Sequence, residues 1–267
     1  MPSLELCLTL PEDSGIYFLL AQDHPLIAHS LTMAMPVIDP EARPAIFVDH
    51  KTSFTVTNLY AREVNEDRLA LFLQSRGESP ILGCSTTFWE PAEHSQFRRK
   101  EDGGLRLHTI TFATTKKVLH IRMPGLELEP AAPRPTMEAL KQLVVLNNDL
   151  FVVGVHIDHA AVGLFLDACE MQVSNFIDMH SLNNKGDRRA LSAYQWLLGG
   201  KAALHTPAIN AIFGELSHDE MVDLDREVAR SALRAWACCI AATHGLAGVL
   251  TNAARIDTTA LALNVIH

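Results

Sequence analysis

The segment from Ser217 to Gly245 constrains the fold most, because it is the longest stretch of the chain with a continuous helical pattern. Ser217 followed by Glu220 has the form of a capping box, and Gly245 supplies a typical C-terminal stop. The ten positions after Arg234 contain no aspartate, glutamate, lysine or arginine. We therefore expect a core helix whose second half is covered by other elements on nearly every side.

The composition predicts a soluble globular chain without a membrane segment. Of the 267 residues, 48% are hydrophobic and 20% are charged, which is enough apolar material for a real core. No run of 18 apolar residues occurs, and the N-terminus lacks the basic region of a secretory signal. Five cysteines without a CxxC spacing are typical of reduced, buried thiols, so we expect a cytoplasmic protein.

The order of the patterns predicts an α+β protein with an N-terminal β-rich half followed by a C-terminal all-helical half. Short β-favouring runs dominate residues 1–123, interrupted by one helix over 66–76 with Asn65 as its N-cap. Residues 124–136 contain four prolines, which neither pair in a sheet nor continue a helix. We therefore predict a β-rich domain over 1–123, a proline-rich linker over 124–136 and a helical domain over 137–267.

Within the second half, one long helix is expected over 159–180 with Asp158 as its cap, and a shorter helix over 137–147. The apolar run 150–155 fits a strand as well as a continuing helix. In the first half, residues 105–123 have the pattern of a hairpin that turns near Thr114 and Thr115. Further strands are expected over 4–10, 16–21 and 45–48, and further helices over 187–198 and 207–213.

Positive charge is concentrated in residues 98–122, although the chain carries a net charge of −9. Lysine and arginine clusters are typical of surfaces that contact phosphates or acidic proteins. This predicts a non-enzymatic interaction or assembly protein, such as a subunit of a larger complex, that contacts nucleic acid or an acidic protein. The alternative is a charge-protected, exposed strand edge. The segment's basic residues are Arg98, Arg99, Lys100, Arg106, Lys116, Lys117 and Arg122.

A second hypothesis is a metal-dependent enzyme with a divalent metal site around residues 156–180. His156 and Asp158 point to the same side if the chain is extended there, and His159 follows directly. Together with His180 or His205, they have the composition of a 2-His-1-carboxylate site. The helical pattern after Asp158 does not match the β-barrel of Fe(II) oxygenases. The alternative is that Asp158 caps a helix and the two histidines flank it.

Weaker patterns suggest other sites. His108 and His120 would face each other across the hairpin if its loop is 113–115, but a slip of one residue separates them. Cys84 could be a nucleophile or a core thiol. Glu215 and His218 match half of a di-iron motif, which needs both residues on one helix. Ser217 is expected to be the N-cap, so Glu215 would lie outside the helix and His218 at its first position. A carboxylate-rich stripe on the helix 159–180 could bind a cation or simply be solvated; it consists of Asp167, Glu170, Ser174 and Asp178.

The signatures of common enzyme classes are absent from the sequence: GxGxxG, GxxxxGK[ST], GxSxG and HExxH do not occur. The unusually apolar end of the helix 217–245 also predicts self-association, because a small helical domain offers little surface to cover it.

Overall fold

A single seven-stranded mixed sheet, with helices on both faces, is the centre of the fold. The computed structural model describes residues 30–33, 52–89, 106–123, 138–166, 171–182, 213, 224–245 and 250–259. The strand order is β1-β2-β5-β4-β3-β6-β7. The strands are β1 (Ser30–Met33), β2 (Thr52–Tyr60), β3 (Ile81–Trp89), β4 (Arg106–Ala113), β5 (Lys117–Arg122), β6 (Phe151–Gly154) and β7 (Phe176–Asp178).

Four helices and two 3₁₀ turns accompany these strands in the described ranges. The helix α2 continues directly into a π-helical turn, so the two form one structural segment. The helices are α1 (Glu66–Gln74), α2 (Glu138–Leu140, with the π turn Lys141–Val145), α3 (Ile157–Leu166) and α4 (Leu224–Gly245). The 3₁₀ turns are Ala61–Glu63 and Met179–Leu182.

The predicted division into a β-rich half and an all-helical half is wrong. Strands β6 and β7 belong to the second half of the chain, and β6 pairs in parallel with β3 from the first half. The helix predicted over 159–180 covers only part of that range, since α3 ends at Leu166 and β7 begins at Phe176. The chain thus has an α/β arrangement in which strands and helices are interspersed. The linker 124–136 and the domain bounds built on it stay predictions.

Five of the seven strands run in the same direction. Strands β2, β5, β3, β6 and β7 run parallel to one another, while β1 and β4 run the opposite way. The carboxyl ends of those five strands therefore lie at one edge, which we call the carboxyl edge. Loops at this edge of an open α/β sheet are the usual place for a binding or catalytic site.

Several local predictions are confirmed. Helix α1 follows Asn65, whose side-chain oxygen accepts a hydrogen bond from the Arg68 nitrogen at 3.0 Å. The β4–β5 hairpin turns after Ala113, and the Thr114 hydroxyl oxygen accepts from the Lys117 nitrogen at 2.9 Å. This bond supplies the turn contact that glycine or asparagine often provides. The expected strands and helices over 4–10, 16–21, 45–48, 187–198 and 207–212 lie outside the described residues.

Helix α4 is the buried core helix that the sequence predicts, and it packs across one face of the sheet. Val228, Ala232, Trp236 and Ile240 are all buried there. The Trp236 ring stacks on Phe54 of β2 at a centroid distance of 5.5 Å. Helices α1, α2 and α3 contribute to the second apolar cluster, on the opposite face. The predicted cap at Ser217 lies outside the described residues, where the assigned helix begins at Leu224.

A buried polar contact crosses the interface between the sheet and α4. The Thr111 hydroxyl on β4 is 2.8 Å from His120 Nδ1 on β5 and 2.7 Å from the Ser231 hydroxyl on α4. His120 is fully buried, and burial, followed by the nearby charge of Arg122, lowers its pKa to about 3. The ring is therefore neutral in the native state at physiological pH.

The pKa of His120 predicts a loss of stability in mild acid. The unfolded chain takes up a proton near pH 6.5, whereas native His120 does so only near pH 3. Stability from this group is thus fully present above pH 6.5 and falls by about 1.4 kcal/mol per pH unit as the pH decreases through that window. Urea unfolding at pH 6.5 and 5.0 should give a loss of about 2 kcal/mol from this residue. In the His120→Asn variant, the free energy of unfolding should fall with decreasing pH by that much less. The same pH dependence in both proteins would contradict the assignment.

Candidate metal centre at the carboxyl edge

Three histidines and an aspartate meet just beyond the ends of β6 and β7. These strands are parallel neighbours, and Gly154 at the end of β6 pairs with Asp178 at the end of β7. The close approach of β6 to β3 requires glycine at position 154, since a Cβ atom there would lie 2.7 Å from the Cys84 carbonyl oxygen. The chain then turns at His156, while β7 leads directly into the 3₁₀ turn that carries His180.

The backbone of His156 is in a left-handed conformation that side chains other than glycine rarely adopt. Its φ angle is 56°, the only positive value for a non-glycine residue in the described ranges. The His156 backbone nitrogen donates to Asp178 Oδ1 at 3.2 Å. This hydrogen bond ties the strained turn to β7. Backbone strain of this kind costs energy and is concentrated at functional sites.

Asp178 is the residue that organises the cluster. Besides the amide of His156, its Oδ1 atom accepts from the His180 backbone nitrogen at 3.2 Å and lies 3.4 Å from His180 Nδ1. Burial alone would raise the pKa of this carboxyl group, but the hydrogen bonds from His180 and His156 outweigh it and the pKa is lowered. Asp178 is therefore ionised at neutral pH.

His180 is the most buried histidine of the cluster. Its side chain is 5% exposed, Nε2 has no hydrogen-bond partner, and Nδ1 has only the long 3.4 Å contact with Asp178. The His156 ring lies over it at a centroid distance of 4.4 Å. Burial and the neighbouring His180 lower the pKa of His156, which favours the neutral imidazole. Neutral imidazole is the form that binds metal ions.

Two further residues of α3 border the cluster. The exposed His159 ring stacks on His156 at a centroid distance of 5.7 Å and meets the edge of Phe88 at 6.5 Å. Asp158 Oδ1 is buried without a hydrogen-bond partner. Within the described residues, no group of three histidine, cysteine, aspartate or glutamate side chains is arranged ready to hold a metal ion. Metal binding here thus requires side-chain rotation.

The structure places the four predicted metal-site residues in the same region, with the rings of His156, His159 and His180 in one cluster. His205 lies outside the described residues. Asp178, which the sequence placed on a helical stripe with Ser174, lies at the end of β7 instead. That stripe does not exist, because α3 ends before both residues. Its other members, Asp167 and Glu170, lie outside the described residues, as do Glu215 and His218 of the di-iron half-motif.

The predicted histidine pair of the hairpin does not form. Thr111, not His108, is the cross-strand partner of His120, and Arg122 pairs with Thr109. The register between β3 and β4 shifts at Thr87, which changes the alternation of side chains in this part of the sheet. Cys84 is a core residue, since it is 1% exposed and burial raises its thiol pKa.

The described part of the basic segment, residues 106–122, does not form an exposed sheet edge. Strand β5 lies between β2 and β4, and β4 lies between β5 and β3. Lys116 is in the turn before β5 and Arg122 is at its other end, about 20 Å away for a strand of this length. Arg98, Arg99 and Lys100 lie outside the described residues; Arg106 begins β4 and Lys117 begins β5.

No family model and no curated protein matches this chain. Among solved structures, the Nibbler EXO domain of Aedes aegypti matches with a TM-score of 0.41 and 13% identity, covering 70% of this chain and 84% of that one. The EXD2 exonuclease domain soaked in Mn and dGMP matches with a TM-score of 0.34 and 16% identity, covering 66% and 84%. The same domain soaked in Mn and Mg gives 0.33 and 15%, covering 66% and 85%.

The prediction of a non-enzymatic interaction or assembly protein is wrong. Of the basic residues that supported it, the four within the described ranges lie at or next to the ends of β4 and β5, two interior strands, with Lys116 and Arg122 at opposite ends of β5. At these TM-scores, we take no residue role from the exonuclease domains. Across the described ranges, no helix combines the length and the apolar character needed to cross a membrane.

Proposed function

We propose that this chain is a metal-dependent enzyme whose centre is formed by His156, Asp178 and His180. The observation that carries the proposal is the buried His180 ring, whose Nε2 atom has no partner and whose Nδ1 atom lies 3.4 Å from the ionised Asp178 carboxylate, beside a second imidazole. A buried polar group without a hydrogen bond costs about 1–3 kcal/mol. A metal ion bound at one nitrogen would remove part of that cost.

The donor set fits an ion that prefers nitrogen ligands. Imidazole binds Zn²⁺ and other first-row transition ions, whereas Mg²⁺ sites are built mainly from carboxylate and water oxygens. His156 and His180 would each supply one nitrogen, and Asp178 would supply a carboxylate oxygen. Asp158, with its unpartnered Oδ1, or the exposed His159 is available as a further ligand.

The reaction class that this arrangement supports is hydrolysis. A bound Zn²⁺ ion would supply a Lewis acid and lower the pKa of a water molecule. The exposed ring of His159 borders the site on the solvent side and is placed to accept or deliver a proton when it is not itself a ligand. The hydrogen bonds that Asp178 accepts from the backbone nitrogens of His156 and His180 hold the loop after β6 against β7, which fixes His156 relative to His180.

Metal-dependent hydrolysis tests the proposal. The chain is stripped with EDTA, dialysed, and assayed on bis(p-nitrophenyl) phosphate and on a single-stranded oligonucleotide, with Zn²⁺, Mn²⁺ or Mg²⁺ added. The oligonucleotide is included because the similar structures are exonuclease domains. We expect turnover that needs Zn²⁺ or Mn²⁺ and that falls at least about 100-fold in Asp178→Asn. The His120→Asn variant, changed on another strand, controls for loss of a histidine. No metal-dependent turnover, or equal turnover in Asp178→Asn, would refute it.

The described cysteines support a reducing, cytoplasmic location as part of this proposal. Cys84, Cys238 and Cys239 are buried thiols. Burial raises the thiol pKa of Cys239 to about 11 and that of Cys84 well above its ordinary value. Neither Cys84 nor Cys239 is thus poised to react or to ligate the proposed metal.

A further inference from the structure

A histidine–carboxylate pair lies on the other side of β3 from the proposed metal centre. His108 Nδ1 on β4 is 3.3 Å from Glu227 Oε1 in the first turn of α4. The Glu227 side chain is 10% exposed, while that of His108 is 35% exposed. The carboxylate is thus enclosed by protein, and the imidazole extends from it to solvent.

Glu227 is held as an ionised acceptor. The Thr87 hydroxyl donates to its Oε1 at 2.8 Å, and Thr87 is itself 2.7 Å from the Thr109 hydroxyl. Burial raises the pKa of Glu227, but the hydrogen bonds from His108 and Thr87 outweigh burial, so the pKa is lowered. The carboxylate can only accept a hydrogen bond in this state, so the His108 Nδ1 atom facing it must carry a proton.

This pairing fixes the chemistry of the opposite ring nitrogen. A neutral imidazole with its proton on Nδ1 has a free lone pair on Nε2. A buried carboxylate that orients an imidazole through Nδ1 is the arrangement that makes histidine an effective base or nucleophile. The 35% exposure of His108 gives a substrate access to the ring. The Glu227 carboxylate fixes the position of the His108 ring, and it is itself held by Thr87, whose hydroxyl group contacts that of Thr109.

We infer that His108 is a catalytic residue of a second, metal-independent site, positioned by Glu227, that hydrolyses activated carboxylic esters. In the first step, His108 Nε2 attacks the acyl carbon and the bond to the leaving oxygen breaks, which gives an acyl-imidazole and a free phenolate or alkoxide. The positive charge that develops on the ring is stabilised by Glu227. The acyl-imidazole keeps its Nδ1 proton and is therefore cationic. Water then adds to the acyl carbon, the carbon–nitrogen bond breaks, and the carboxylate leaves with the neutral ring restored, while one proton of the water passes to the released phenolate or alkoxide and the other to solvent.

The two sites are independent in the fold. His108 lies on β4, whereas the metal-site residues follow β6 and β7, and β3 separates β4 from β6 in the sheet. The further charged or titratable groups that interact around the pair are His120 and Arg122 on β5. His120 is neutral.

Ester hydrolysis in the presence of EDTA tests this inference separately from the metal proposal. The probe is p-nitrophenyl acetate at pH 8, with the full chain as enzyme. We expect His108→Gln to lose at least tenfold in kcat/KM and Glu227→Gln to lose about tenfold in kcat with an unchanged KM. Lys116→Gln, which changes an exposed residue of the β4–β5 turn outside both sites, should keep the wild-type rate. Wild-type hydrolysis no faster than that of His108→Gln would overturn the inference.

A spectroscopic measurement covers the case in which a variant folds poorly. ¹⁵N chemical shifts of the His108 ring in the wild-type chain should identify the Nδ1-protonated form, and Glu227→Gln should convert it to a mixture of tautomers. An Nε2-protonated ring in the wild-type chain would overturn the inference without reference to any variant. An unchanged tautomer in Glu227→Gln would remove the positioning role of the carboxylate.

Discussion

Zn²⁺ binding should weaken at least about 100-fold when His180 is replaced by alanine. Loss of an outer residue that only orients a metal ligand already costs 10–100-fold in affinity. His180 is expected to contribute a nitrogen directly, from a ring that is 5% exposed and whose Nε2 atom has no competing hydrogen bond. Calorimetric titration of the EDTA-stripped chain with Zn²⁺ gives the dissociation constants of the wild-type and variant proteins.

His108→Ala is the matched control for this experiment. It removes the same type of side chain from β4, outside the proposed metal centre, and should leave the Zn²⁺ dissociation constant within about twofold of wild type. Equal affinities in the wild-type and His180→Ala proteins would place any bound metal elsewhere. Circular dichroism before the titration establishes that both variants are folded.

A single added methyl group at Gly83 should destabilise the whole sheet. A Cβ atom there would overlap the backbone carbonyl oxygen of Ala235 and come within 2.6 Å of the Cys239 nitrogen. Both atoms belong to the backbone of α4, which cannot rotate away as a side chain can. We expect Gly83→Ala to lower the free energy of unfolding by more than about 3 kcal/mol, beyond the usual range for overpacking. Urea unfolding measures this change.

Gly163→Ala provides the comparison for that prediction. The new Cβ atom would meet the edge of the Phe88 ring at 2.9 Å, and this ring can shift. Replacing glycine by alanine in a helix also gains about 1 kcal/mol in helix propensity. The net change at Gly163 should thus stay within about 1 kcal/mol. A similar loss at both positions would contradict the close contact between β3 and α4.

Local sequence signals predicted the elements that have one solvent-facing side or a clear terminal signal. Strand β2, helix α1 with its Asn65 cap, and the β4–β5 hairpin all follow the predicted patterns. Helix α4 was recognisable from its long apolar stripe. Each of these patterns depends on residues only a few positions apart, so no knowledge of distant contacts was needed.

The second half of the sheet could not be predicted in the same way. Strand β6 is buried on both faces and flanked by parallel strands, so its residues do not alternate between apolar and polar. Strand β7 has only three residues, and its apolar positions also fit the helical period of α3. As a result, the apolar pattern predicted one helix over 159–180, across both α3 and β7, and therefore an all-helical second half.

The candidate site was predictable only in part, because some of its residues are close in sequence and others meet only through the pairing of β6 with β7. His156, Asp158 and His159 are close together in sequence, and the cluster was visible from their spacing. Asp178 joins them only because β7 pairs with β6, a contact between residues 24 positions apart at Gly154 and Asp178. The prediction of an interaction surface on the basic hairpin was wrong because charge alone does not reveal whether a strand lies at the edge or in the interior of a sheet.

X-ray absorption spectroscopy of the Zn²⁺-loaded chain tests the central claim most directly, since it identifies the atoms bound to the metal without a substrate. We predict a first shell with at least two imidazole nitrogens at about 2.0–2.1 Å and carboxylate or water oxygens completing it. The imidazole signal should decrease by one ring in His180→Ala. A shell of oxygen atoms alone, or a spectrum with sulfur ligands at about 2.3 Å, would contradict a centre built on His156, Asp178 and His180.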